Sequence, residues 1–212
     1  MAFLQGRRKP FVGPVALFLV ANVLFFATES LTGGTIFTTP LEGHLHTQPW
    51  SPVAQGLVAD RLALLHTPAA LFAARFDRAI ALHARSLILL MALAFAVLPA
   101  IAYGRSRRPF AAHVVFSLHL YAFMLLLFSV ATAIPAMGLL AGGTRSNSQV
   151  LDGAISITML VACGFYLYFA TGAVYGGGRA ARALKSAALA VGTAAIVLGY
   201  RFALFLFTLY SA

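Results

Sequence analysis

Charge is what this chain has least of: 9% of its 212 residues are Asp, Glu, Lys or Arg, where a soluble domain carries about 25%. A surface so poor in charge excludes water as the solvent for most of the molecule. Acids are scarcest, five against fifteen Lys and Arg. The single cysteine, Cys163, excludes a disulfide framework and any CxxC zinc ribbon built within this sequence. No Walker loop, GxSxG, HExxH or dinucleotide fingerprint occurs. The glycine run 176–178 has neither a following Lys-Ser/Thr nor a preceding strand, so it reads as a hinge.

What is abundant is apolar: 61% of residues are hydrophobic and the mean hydropathy is +0.89. The apolar stretches recur at 11–30, 86–103, 109–140, 150–175 and 186–210, each close to or longer than the roughly 20 residues that cross a bilayer. The expected fold is therefore all-α: one polytopic membrane bundle over 1–212, of about five transmembrane helices. Pro14 falls in the first turn of the first span, where a missing donor costs little. That span is long for a signal h-region and no small-x-small cleavage site follows, so it is expected to be retained.

An insert at 31–85 separates the first two spans. Gly33, Gly34, Pro40, Gly43 and Pro49 mark 31–50 as loop. Two short helices follow, 54–66 and 68–83, split at Thr67-Pro68. In the second, Phe72, Phe76, Ala79 and Ile80 share one face while Arg75, Arg78 and Arg85 share another. That pattern suits a helix lying in the outer membrane interface or packed over the rim of the bundle.

The net charge of +10 is placed for topology rather than for nucleic acid. Nine of the fifteen cations fall in three acid-free clusters beside spans: Arg7/Arg8/Lys9, Arg105/Arg107/Arg108 and Arg179/Arg182/Lys185. By the positive-inside rule these clusters are expected to face the cytoplasm, with the N-terminus in and the C-terminus out.

Polar groups inside the spans are the candidates for chemistry. His113 lies near the inner interface and His119 about 16 Å in, close to the midplane. Six residues apart on a straight helix, they cannot share one metal ion. Asn22 and Tyr166 fall near the same depth as His119, so Asn22, His119 and Tyr166 outline a polar layer. It is either a pocket for a ligand or proton, or hydrogen bonding that only fixes packing. Haem b is a less favoured option, since no other span offers a histidine at the depth of His119. Arg201, deep in the last span, is expected to pair with Asp152 and Glu29 near the outer leaflet. The alternatives there are an anion or headgroup site, or snorkelling to water. His44 and His46 would share one side of an extended segment and form a weak metal site. Ala188, Gly192, Ala195 and Gly199 give the last span a small-residue face suited to close helix packing, inside the chain or against another subunit.

The segments GRRKPFVGPVALFLVANVLFF, TPLEGHLHTQPWS, FDRAIALHARSLILL, RRPFAAHVVFSLHLYAF and ATGAVYGGG resemble, in this order, a family of bacterial integral-membrane proteins of unknown function. The resemblance implies a multi-span core with signature residues at Arg7, Arg8, Pro14, Gln48, His113, His119 and Tyr175. Many members carry an N-terminal zinc ribbon, which this sequence is expected to lack. It implies no reaction. The expected function is that of a non-enzymatic accessory or scaffold subunit, in contact with lipid and with other membrane subunits or itself. The alternatives are a small transporter or binder using the His119 layer and, less favoured, a haem-binding electron-transfer subunit.

Overall fold

The computed structural model describes residues 13–32, 37–106, 108–140 and 149–212, without the side chains of Ser86, 135–140 and 149–154. Arg7, Arg8, Lys9, Arg107 and the Asp152 side chain lie outside the described residues. The described chain is helical throughout, in the order α1 (Pro14–Thr32), α2 (Leu41–His46), α3 (Ser51–Leu65), α4 (Ala69–Ala102), α5 (Phe110–Leu140), α6 (Gln149–Tyr175) and α7 (Arg179–Ser211). No strand occurs among the described residues.

Among the described residues, four helical stretches are long and apolar enough to cross a bilayer: Pro14–Thr32, Phe110–Ile134, Ile155–Tyr175 and Arg179–Ser211. A fifth is reached if α3 and the first half of α4 count as one bent span. The surfaces of these helices are apolar on both sides. On α1, Phe18, Ala21, Phe25 and Phe26 are buried against protein, while Val15, Leu19, Val20 and Val23 are exposed. Such helices fit a multi-pass membrane protein whose outer surface meets lipid.

Two expectations need correction. The segment 31–50 contains the one-and-a-half-turn helix α2. Its first free amide, Leu41 N–H, donates to Asp77 Oδ1 at 2.8 Å, a cap supplied from α4. The amphipathic helix expected to end at 83 does not end there. It runs unbroken into the span expected at 86–103, making α4 one helix of 34 residues. Its apolar part, Leu87–Ala102, is about 24 Å long and by itself shorter than ~30 Å of hydrocarbon. The expected amphipathic pattern is present: Phe72, Phe76, Ile80, Ala84 and Ile88 form a buried stripe, with Arg75, Arg78 and Arg85 exposed. The break at Thr67-Pro68 is also present. His66 caps α3 in the left-handed region (φ 50°), and α3 and α4 meet at a bend of 112°.

The chain divides into two compact units, 1–32 with 90–196 and 33–89 with 197–212; α4 and α7 contribute to both. In the first unit α1 packs along α5, with the Phe25 and Phe128 rings 6.3 Å apart. The Ser117 hydroxyl donates to the Ala92 carbonyl, joining α5 to α4. The Thr171 and Ser186 hydroxyls join α6 to α7 at 3.1 Å. Gly192 lets α7 approach Leu98 of α4 where a Cβ would collide. In the second unit Phe37, Phe72, Phe76 and Phe205 form an almost fully buried aromatic core.

Candidate functional site

The polar layer expected at mid-depth is not a hydrogen-bonded one. His119 Nδ1–H donates to the Val115 carbonyl of its own helix at 2.8 Å. A carbonyl only accepts, so this bond fixes the ring tautomer. Tyr166 stacks on Phe123 with centroids 4.5 Å apart. Asn22 is half-buried on α1, and its Nδ2 meets no acceptor. Asn22, His119 and Tyr166 therefore do not bond to one another.

His113 is placed differently. It is buried on the first turn of α5, and its Nδ1 lies 2.7 Å from the hydroxyl of Tyr175, the last residue of α6. Tyr175 in turn stacks on Tyr103 at 4.2 Å, with the planes 10° apart, and meets the Phe116 ring in a T-shaped contact at 5.7 Å. Over the other ring of this stack, Lys185 Nζ sits 4.3 Å from the Tyr103 centroid and donates to the Ala102 carbonyl at 2.7 Å. Arg108 donates to the Val174 carbonyl at 3.2 Å. A turn back along α7, the Arg182 guanidinium lies 4.1 Å from the Tyr168 centroid, over its face. These cation–π contacts replace the carboxylate partners that cations ordinarily take.

Local sequence explains the convergence. A Tyr-Gly pair stands at the end of each helix before a basic run: Tyr103-Gly104 just after α4, and Tyr175, the last residue of α6, with Gly176. Gly176 and Gly177 turn the chain with φ of 70° and 100°, a conformation side chains avoid. α7 then begins at Arg179, two turns earlier than expected, so its cations stand on helix and not in a leading loop. Positive charges there oppose the macrodipole, whose N-terminal end is itself positive. The tyrosines flanking both turns were a readable interfacial signal; that they stack on each other, 72 positions apart in the chain, was not.

The second unit uses its polar groups differently. His44 is 1% exposed and lies within 6 Å, centroid to centroid, of the Trp50, Phe76 and Phe205 rings. Its Nδ1 accepts the Trp50 indole N–H at 3.3 Å. Burial, and then the Arg201 charge, hold the imidazole pKa down to about 4, against a smaller opposing effect of the Thr39 backbone. His46, by contrast, is exposed and pairs with Glu42 at 3.2 Å. Because α2 is a helix, the two rings point to different sides, and the extended His44/His46 pair is corrected. No group of three or more His, Cys, Asp or Glu suited to a metal occurs among the described residues.

Arg201 donates to Thr39 Oγ1 at 2.9 Å. The Asp152 side chain, the expected acid partner, lies outside the described residues, and Glu29 is buried on α1. His83 meets the Thr208 hydroxyl at 3.1 Å, and Tyr200 O–H donates to the Ala84 carbonyl at 2.9 Å.

Compared with known proteins, the chain matches no family model, no curated protein and no solved structure.

Proposed function

We propose that this chain is a non-enzymatic, multi-pass subunit of the bacterial inner membrane, serving as an accessory or scaffold element of a larger assembly. One observation carries the reading. Ala188, Ala195 and Gly199, three members of the small-residue face of α7, are exposed, while Leu189, Ala190, Thr193 and Tyr200 on the same helix are buried. Small residues let helix backbones approach closely in lipid, where apolar burial gives no drive of its own. A face of this kind left open on a packed helix suits a helix from another subunit or a second copy. The polar groups of the interior support the same reading, since His119 bonds its own helix and Tyr166 is stacked.

The proposed orientation is N-terminus in the cytoplasm and C-terminus outside, from the acid-free cation clusters at alternate helix ends. We also propose membership of the resembled family of multi-span proteins, on the quoted segments.

The test is the mass of the particle extracted in mild detergent. A defined assembly heavier than the 22.5 kDa chain, losing its companions when Ala195 and Gly199 are replaced by Leu, is the expected result. A monodisperse single chain in several detergents would count against the reading.

A further inference from the structure

Among the described residues, no carboxylate pairs with Arg108, Arg182 or Lys185 at the α6–α7 end of the first unit. No Asp or Glu lies between Asp77 and Asp152, and none after Asp152. Arg108, Arg182 and Lys185 rest instead on carbonyls and ring faces. The Arg182 Nε is shut away from solvent without an acceptor, and the Tyr103 hydroxyl is in the same state. To these charges the N-terminal end of α7 adds its own positive potential. Like charges gathered this way repel, so the arrangement favours an anion.

A second, independent feature says what kind of anion. Between α6 and α7 runs an open groove of about 420 Å³, lined by Val161, Phe165, Tyr168 and Phe169 from α6 and by Ala183 and Ala187 from α7. From residue 161 to 169 it extends about 12 Å along the helix axis. Its walls are almost wholly apolar and open sideways, as a path for a hydrocarbon chain would be. Tyr168 belongs to both features: it lines the groove, and its ring carries the Arg182 guanidinium. That guanidinium lies against Gly172, one turn further along α6, where a Cβ would collide with it. Glycine there gives the arginine its seat at the head of the groove.

We propose that this groove and Arg182 together form a binding site for an anionic phospholipid, with one acyl chain in the groove and the phosphate against the guanidinium. Arginine suits the role, because its planar fork matches phosphate oxygens and it is more weakly hydrated than an ammonium. Basic pockets between membrane helices recognise anionic headgroups by the same chemistry. Lys185, already bonded to Ala102, supplies long-range field rather than direct contact. The inference rests on the chain being embedded in a bilayer but not on its being a scaffold, and particle mass does not enter its test.

The full chain is purified in detergent, and lipid binding is read by native mass spectrometry during titration with phosphatidylglycerol or phosphatidylcholine. Phosphatidylglycerol is expected to bind at least about tenfold tighter. Arg182→Gln should bring that ratio close to one, and Ala187→Phe, filling the groove from an exposed position, should weaken both lipids about fivefold or more. Millimolar sn-glycerol 3-phosphate should leave the bound lipid in place. Equal affinity for the two lipids overturns the proposal, as does an unchanged preference in folded Arg182→Gln. Displacement by glycerol phosphate would mean a site for a soluble phosphate and would overturn the lipid assignment. Should Arg182→Gln fail to fold, Ala187→Phe still decides: unaltered lipid affinity there removes the groove from the argument.

Discussion

The two units handle the same ingredients, aromatic rings beside cations and histidines, in opposite ways. In the unit formed by 33–89 and 197–212, four polar groups are held by hydrogen-bond partners from the chain. Arg201 has the Thr39 hydroxyl, His44 the Trp50 indole, Asp77 the Leu41 amide, and His83 the Thr208 hydroxyl. In the other unit Arg108, Arg182 and Lys185 sit on rings and carbonyls, and no carboxylate pairs with them among the described residues. A basic group whose partners are internal and polar reads as architecture. One that is positioned by aromatic faces but left without opposite charge reads as a place where something else binds.

That contrast can be broken by mutation, and the lone Trp50 makes the second unit separately observable by fluorescence. The largest effect is expected from Phe205→Ala. The ring is fully buried against His44 and Phe76, so the cavity should cost about 3–5 kcal/mol. Trp50 emission during denaturation in detergent checks it. Acid should act on the same unit. Folded, His44 stays neutral down to about pH 4, whereas unfolded it takes a proton near pH 6.5. The unfolded state binds more protons in that window. Stability is therefore whole above about 6.5, declines as pH falls towards 4, and levels off below, a loss of at most about 3 kcal/mol. In His44→Phe the slope of the Trp50 transition midpoint against pH should flatten; an unchanged slope would assign the acid response elsewhere.

A smaller change is expected from Asp77→Ala, which strips the cap from α2. It should cost about 1 kcal/mol and raise amide exchange at Leu41 before anything else. Smallest is Tyr175→Phe, which keeps the ring stack and deletes only the hydroxyl facing His113. In a membrane bundle that bond is worth about 0.6 kcal/mol. It should leave the Trp50 signal unmoved, and a shift there would show the contrast between the units to be false.

Much of the fold was readable because lipid-facing helices announce themselves by uniform apolarity between Gly, Pro and basic punctuation. α5 and α6 begin within one residue of the expected positions. α4 was harder, since its two halves have different compositions. Its first half alternates Phe with Arg like a surface helix, and its second is apolar throughout. The absence of Gly and Pro between 69 and 98 was the available sign of continuity. α2 was hidden because its cap arrives from Asp77, 36 residues away, and local chemistry favoured a loop. For the candidate site, sequence marked His113 as a polar group needing a partner and the basic turns as special. Neither Tyr175 as that partner nor Tyr168 as the seat of Arg182 could be found without tertiary contacts.

The corner between α3 and α4 carries a last consequence. His66 holds a positive φ, and Pro68 can neither donate a backbone hydrogen bond nor let Thr67 turn helical. Three consecutive residues thus disfavour fusion of the two helices into one straight rod. Part of the elbow is set by the local chain, before distant packing contributes.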